Sequence, residues 1–241
     1  MAQQRFPESL AALQEASQFG DKVSRPHQQL TGEIQNSLGV IYFYQGKMGK
    51  AESMFNAAIR TYADESAWAA DISHSVNNLA RVYQTKRKFA KAEELFKTSI
   101  DLTEQRLGAF HPELSIILEN LGRLYIDMKR YDEAEHYFQR SLAILQNGRP
   151  LIEFRILHTL HGLSKILLAQ GDKAQAEAVL ARATEIIGPK PASNPEVAQI
   201  LESYANLLKD AGKSGQAREV QYRAKRILSS LAWTVRVQDL K

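Results

Sequence analysis

Apolar and small residues recur along this chain in a register that repeats every 41 or 42 positions. Ala51, Ala92, Ala134, Ala176 and Ala217 mark the repeat, standing 41, 42, 42 and 41 residues apart. Thirteen residues before each mark come Leu38, Leu79, Leu121, Leu163 and Tyr204, each followed by a small residue: Gly39, Ala80, Gly122, Ser164, Ala205. Nine before the mark are Tyr42, Tyr83, Tyr125, Leu167 and Leu208; four after it are Phe55, Phe96, Phe138, Leu180 and Gln221. Seven after it a small residue returns as Ala58, Ser99, Ser141, Ala183 and Ala224. Steps of three and four residues are the face period of an α-helix, so each unit reads as two amphipathic helices. The helices meet at Gln45-Gly46, Lys86-Arg87, Lys129-Arg130, Gln170-Gly171 and Ala211-Gly212, where glycine is replaced by a cation in the second and third units. The small residues are expected where two helices cross closely, because a larger side chain would force the axes apart. A fixed period of this size means stacked supersecondary units.

Punctuation falls between the units. Pro112 and Pro195 each stand 22 residues before an alanine mark and precede Glu113 and Glu196, which predicts helix starts with His111 and Asn194 as caps. Asn147-Gly148-Arg149-Pro150 and Arg25-Pro26 are expected to do the same in shifted positions, and the segment from Gly188 to Asn194 is expected to be the most mobile loop. Residues Pro7 to Gly20 fit the second helix of a further unit, since Leu13 and Ala16 lie 42 residues before Phe55 and Ala58. That half-unit is either a natural N-terminal cap or the end of a longer array. The expected organisation is an N-terminal half-repeat over 1–30, five units over 31–65, 66–108, 109–148, 149–191 and 192–229, and a C-terminal tail over 230–241.

The order Leu-small-x-x-Tyr, then Ala, Phe and Ala at these offsets, resembles the helix-turn-helix signature of the tetratricopeptide repeats. The long units, with Asn77-Asn78-Leu79-Ala80, Tyr83, Ala92-Glu93 and Leu107-Gly108-x-x-His111-Pro112-Glu113, are similar to the repeats of kinesin light chain and of bacterial proteins that share them. That closer likeness runs from about Val76 to Ser141. No long heptad segment precedes the repeats, so the chain is not expected to be a kinesin light chain itself. The fold expected is all-α, a right-handed α-solenoid of stacked hairpins.

Composition narrows the function classes. The longest stretch without a charge, Ile34 to Gly46, is 13 residues and contains polar positions, too short to span a bilayer. The N-terminus carries no apolar core of a signal peptide, and the compartment expected is the cytoplasm. With 0 cysteines there is neither a disulfide framework nor a thiolate metal site. The glycine-rich phosphate loops and nucleophile elbows of common enzymes are missing, and no enzyme activity, cofactor or metal is expected. His158 and His161 share a helix face without a third placed ligand, His74 and His111 read as groove and loop residues, and Glu93-Glu94 and Asp132-Glu133 are expected to lie on wet outer faces.

Function then rests on the face left when the core positions are removed. On the first helices, fifteen before each mark, stand Asn36, Asn77, Glu119, His161 and Glu202; eleven before it stand Val40, Arg81, Arg123, Lys165 and Asn206. Three successive cations at about 10 Å spacing suit an extended acidic peptide of about six residues at ~3.3 Å each. Asn36, Asn77, Asn78 and Asn206 would grip or orient its backbone. The resemblance implies the same, because kinesin light chain repeats take acidic cargo peptides. Against this, Glu119, Arg123 and Asp127 at i, i+4, i+8 would neutralise one another. The partner expected is another protein or an acidic peptide, with the oligomeric state open. The alternative class is nucleic-acid association, since the net charge is +4 and Lys86-Arg87-Lys88, Lys91, Lys129-Arg130, Arg223 and Lys225-Arg226 could meet phosphates. Interleaved acids and aromatics committed to the core count against it.

Overall fold

The computed structural model describes residues 26–63, 69–146, 153–189 and 194–238. Among the described residues are ten helices and no strand: α1 Pro26–Tyr44, α2 Met48–Ala63, α3 Ala69–Thr85, α4 Phe89–Leu107, α5 Glu113–Asp127, α6 Tyr131–Gln146, α7 Glu153–Gln170, α8 Lys173–Ile187, α9 Pro195–Asp210 and α10 Ser214–Gln238. They divide into two compact units, residues 1–128 with α1 to α5 and residues 129–241 with α6 to α10. In the first unit each helix packs on the next, and the first helices α1, α3 and α5 also touch in turn. In the second unit the same holds along α6 to α10, with α7 touching α9.

The repeat register is the core. Ala51, Ala92, Ala134 and Ala176 are wholly buried, as are Ala58, Ser99, Ser141, Ala183 and Ala224 seven positions on. Phe55, Phe96 and Phe138 are buried too, each worth roughly 1.5–3 kcal/mol relative to exposure. Gly39 shows why a small residue is needed: a β-carbon there would stand 2.6 Å from the Phe55 ring. Gly162, in the second unit, lies against Phe138 in the same way, with a β-carbon 2.1 Å from the ring. Ser99 tolerates burial because its hydroxyl donates to the Ser73 carbonyl at 2.8 Å.

All five intra-hairpin turns take a positive φ at one register position, five before the alanine mark. Gly46, Gly171 and Gly212 fill it in three units, but Arg87 (φ 57°) and Lys129 (φ 59°) fill it in the other two. Helix starts follow side-chain caps. The Asn194 side chain accepts from the Glu196 amide at 2.8 Å, with Pro195 opening α9, and Asp172 accepts from the Gln175 amide at 2.9 Å. His111 Nδ1 accepts from the Glu113 amide at 3.3 Å, and Pro112 sits just ahead of α5 rather than inside it.

A second row of contacts ties hairpin to hairpin. Glu52, one residue after its mark, accepts from the Tyr83 hydroxyl and from Lys86 Nζ, both at 2.5 Å. Glu93, at the same register, accepts from the Tyr125 hydroxyl at 2.9 Å and from Lys97 at 2.7 Å. In the second unit Glu135 and Asp132 accept from Gln170, and Glu177 from Lys213. Glu93 and Asp132 are therefore not simply wet outer acids: they take donors from the following hairpin.

The first helix opens at Pro26, where the Arg25-Pro26 pair is expected to start one, five residues ahead of the bound set at 31. At the other end α10 runs on through Gln238, so most of the segment set apart as a tail from 230 continues a helix. Ser214, Gln221 and Lys225 on α10 are exposed, as suits a terminal hairpin. Pro7 to Gly20, Asn147 to Pro150 and Lys190 to Ser193 lie outside the described residues. No helix of the described residues is long and apolar enough to cross a membrane.

Candidate functional site

The first helices present a polar face whose rows lie eighteen, fifteen, fourteen and eleven residues before each mark. In the first unit, consecutive helices are joined along it by side-chain amides. Asn78 Nδ2 donates to Asn36 Oδ1 at 3.2 Å, and Asn120 Nδ2 donates to Asn77 Oδ1 at 3.0 Å. Each bond links the row at fourteen of one repeat to the row at fifteen of the repeat before. In the second unit His161 Nε2 and Ser203 Oγ, 3.2 Å apart, form the same link.

These bonds sort the residues expected to bind. Asn77, Glu119 and His161 are buried, and burial, with Lys165 and His158 close by, holds the His161 imidazole down to about 4. Asn36 and Asn78 remain half-open. Arg123 is tied on its own helix, with Nη2 3.7 Å from Glu119 Oε2 and Nη1 donating to Asn120 Oδ1 at 3.4 Å. Asp127 does not join that pair; it accepts from Gln84 Nε2 at 2.6 Å on α3. Arg81 lies across the Phe43 ring, its guanidinium carbon 4.7 Å from the centroid. Lys165 and Asn206 are exposed in the second unit, Asn206 at a shallow pocket with Lys209, Arg218 and Gln221.

One row escaped the sequence reading as a row. Eighteen before the mark stand Glu33, His74, Ile116, His158 and Gln199, one helical turn above the expected groove positions. Glu33 and His74 line a pocket of about 300 Å³ with Asn36, Ser37, Tyr62 and Asp71. His74 stands 3.4 Å from Glu113, and His158 3.5 Å from Glu196. Extending the i, i+3 step backwards from the row at fifteen would have found them. Among the described residues no three His, Asp or Glu side chains come together as metal ligands would.

The sequence family described as MalT-like TPR region matches residues 1–226. The chain belongs to the MalT-like TPR region family. No curated protein sequence matches it significantly. Among solved structures, BtubC (BKLC) from P. vanneervenii is similar at 18% identity and a TM-score of 0.80, over 94% of this chain and 92% of that one. The nearly identical TPR-like repeats of a Podosopora anserina protein described as a kinesin light chain match at 20% identity and a TM-score of 0.66, over 83% of this chain and 95% of that one. The apo form of RapI matches at 12% identity and a TM-score of 0.67, over 95% and 94%. At these identities the likeness is one of fold: this MalT-like TPR region is an all-α tetratricopeptide solenoid, and its longer repeats have counterparts among kinesin-light-chain-type structures.

Proposed function

We propose that this protein is a non-catalytic interaction scaffold that takes an acidic, extended segment of a partner protein on the polar face of its first helices. The observation that supports it most is the pairing of Arg81 and Arg123 at one register of neighbouring helices, α3 and α5, which the amide links below them hold in step. Arg81 has an aromatic ring behind it and Arg123 a buried carboxylate, so both guanidinium groups are pre-positioned and still half-open to solvent. A carboxylate arriving there gains roughly 1.5–3 kcal/mol per charge-assisted hydrogen bond. Asn36 and Asn78, also half-open, offer amides to a peptide backbone, whereas Asn77 acts by orienting Asn120. In the second unit Lys165 is an exposed cation at the same register position of the sequence.

Panning of an acidic-peptide library by fluorescence polarisation tests this reading, with micromolar binding expected. Replacing Arg81, Arg123 and Lys165 together by Ala should weaken it at least tenfold with the circular dichroism spectrum unchanged. Absence of any binder, or a triple variant that binds as well as the parent, would remove the proposal.

A further inference from the structure

A second cationic surface of the first unit, apart from the polar face of the first helices, is the edge made by the α1–α2 and α3–α4 turns. Lys47 and Lys88 occupy one register position and Lys50 and Lys91 another, three residues on, with Arg87 at the apex of the second turn. All five are exposed, and among the described residues none has a carboxylate within ion-pair distance. The acid that the sequence interleaves here, Glu52, is already held by Lys86 and Tyr83. Glu52 and Glu94 act on Lys91, and Glu52 on Lys88, only at longer range. Lys91 Nζ sits 4.3 Å from the Tyr83 ring centroid and Lys50 Nζ 5.5 Å from that of Tyr42, so each ammonium group is set over the face of a buried ring while its side chain stays exposed.

The backbone adds an independent observation. Arg87 adopts φ 57° at the turn position where Gly46, Gly171 and Gly212 stand in three other repeats and where Lys129 takes φ 59° in the third. Glycine is free of strain there and an L-residue is not. Strain kept in this way is grounds for asking what the side chain does. In the third repeat the pattern is cancelled: Glu133 replaces the lysine and accepts from Arg130. The edge is thus a feature of the first two repeats.

We propose that this edge docks the sugar-phosphate backbone of a nucleic-acid duplex through Lys47, Lys50, Arg87, Lys88 and Lys91. Lysine is depleted at protein interfaces, whose energy comes from aromatic and arginine anchors in pockets. Here Tyr44 is the one large apolar side chain standing open among the described residues of the edge. A bilayer would likewise need an apolar face or a second anchoring signal. Phosphates need only the charges. Tyr42 and Tyr83 are buried beneath the lysines and cannot stack on bases, so the docking reads backbone without sequence.

The test is fluorescence anisotropy of the full chain with a labelled 20-base-pair DNA duplex of arbitrary sequence, at 50 and 200 mM salt. Five phosphate contacts predict micromolar binding at low salt and a loss of about 500-fold at the higher salt. The variant K47Q/K50Q/K88Q/K91Q should keep its melting temperature and lose measurable binding. Arg87→Gly should melt a few degrees higher yet bind about tenfold more weakly at 50 mM salt. The triple Ala variant of Arg81, Arg123 and Lys165 should bind DNA as the parent does, which separates this surface from the peptide face. No binding at 50 mM salt, unchanged binding by the quadruple variant, loss of DNA by the triple variant, or tighter binding of polyglutamate or phosphatidylserine vesicles than of DNA would each overturn the proposal.

Discussion

The Asn120 amide donates to the Asn77 side-chain oxygen at 3.0 Å, across 43 residues of sequence, and both side chains are buried. The bond fixes α5 against α3 at the level where Arg81 and Arg123 emerge, so a structural contact also sets the geometry of the candidate binding face. Asn120→Leu should strand the Asn77 amide and cost about 1–3 kcal/mol. The double change with Asn77→Leu should cost less than the sum of the single changes. Denaturant unfolding of the four proteins of this cycle measures both quantities.

Gly39 faces the Phe55 ring with no room for a β-carbon. Gly39→Leu is expected to cost about 1–3 kcal/mol by overpacking, a fall of several degrees in melting temperature. Gly49, which has open space around its β-position, should accept Ala with little change. Equal melting of Gly39→Leu and the parent would mean that Phe55 does not pack on α1 as described.

His161 is held neutral by burial to about 4, against an ordinary 6.5. The unfolded chain therefore takes up a proton at this site before the folded chain does. Stability is full above pH 6.5 and declines as the pH falls from 6.5 towards 4, by at most about 3 kcal/mol. His161→Gln should flatten that part of the pH profile in chemical denaturation. A profile as steep in the variant as in the parent would place the titration elsewhere.

Glu52 receives Lys86 and the Tyr83 hydroxyl, and the hydrogen bond from Lys86 contributes most to holding its carboxyl below the ordinary 4.5. The stability this contributes is present above pH 4.5 and is lost as the pH falls through the lowered folded value. Glu52→Gln should cost about 1–2 kcal/mol at neutral pH and bring the melting curves of variant and parent together in acid. Thermal melts between pH 3 and 7 in ~1-unit steps would show a gap that persists at the lowest pH if the argument is wrong.

The periodicity was enough to place the helices, the buried alanine, phenylalanine and small-residue rows, and the family, because burial along one helix follows from that helix's own 3.6-residue turn. It also separated Arg81, Lys165 and Asn206, which stay open to solvent, from the core. What it could not decide is which polar side chains on the same rows remain available. Asn77 and Glu119 share one register position, yet Asn77 is consumed by Asn120, and Glu119 by Arg123 rather than by a longer ladder to Asp127. Glu93 reads as a solvated acid until the next hairpin brings Tyr125 to it, nothing in the sequence joins Glu52 to Tyr83 and Lys86, and Arg87 gave no sign of its left-handed backbone because no glycine marked the turn. The difference is physical: apolar burial is set by position on a single helix and tolerates errors of an ångström or more, whereas a hydrogen bond needs donor and acceptor within about 3 Å, and its partner stands some 40 residues away on a helix that only tertiary packing brings alongside.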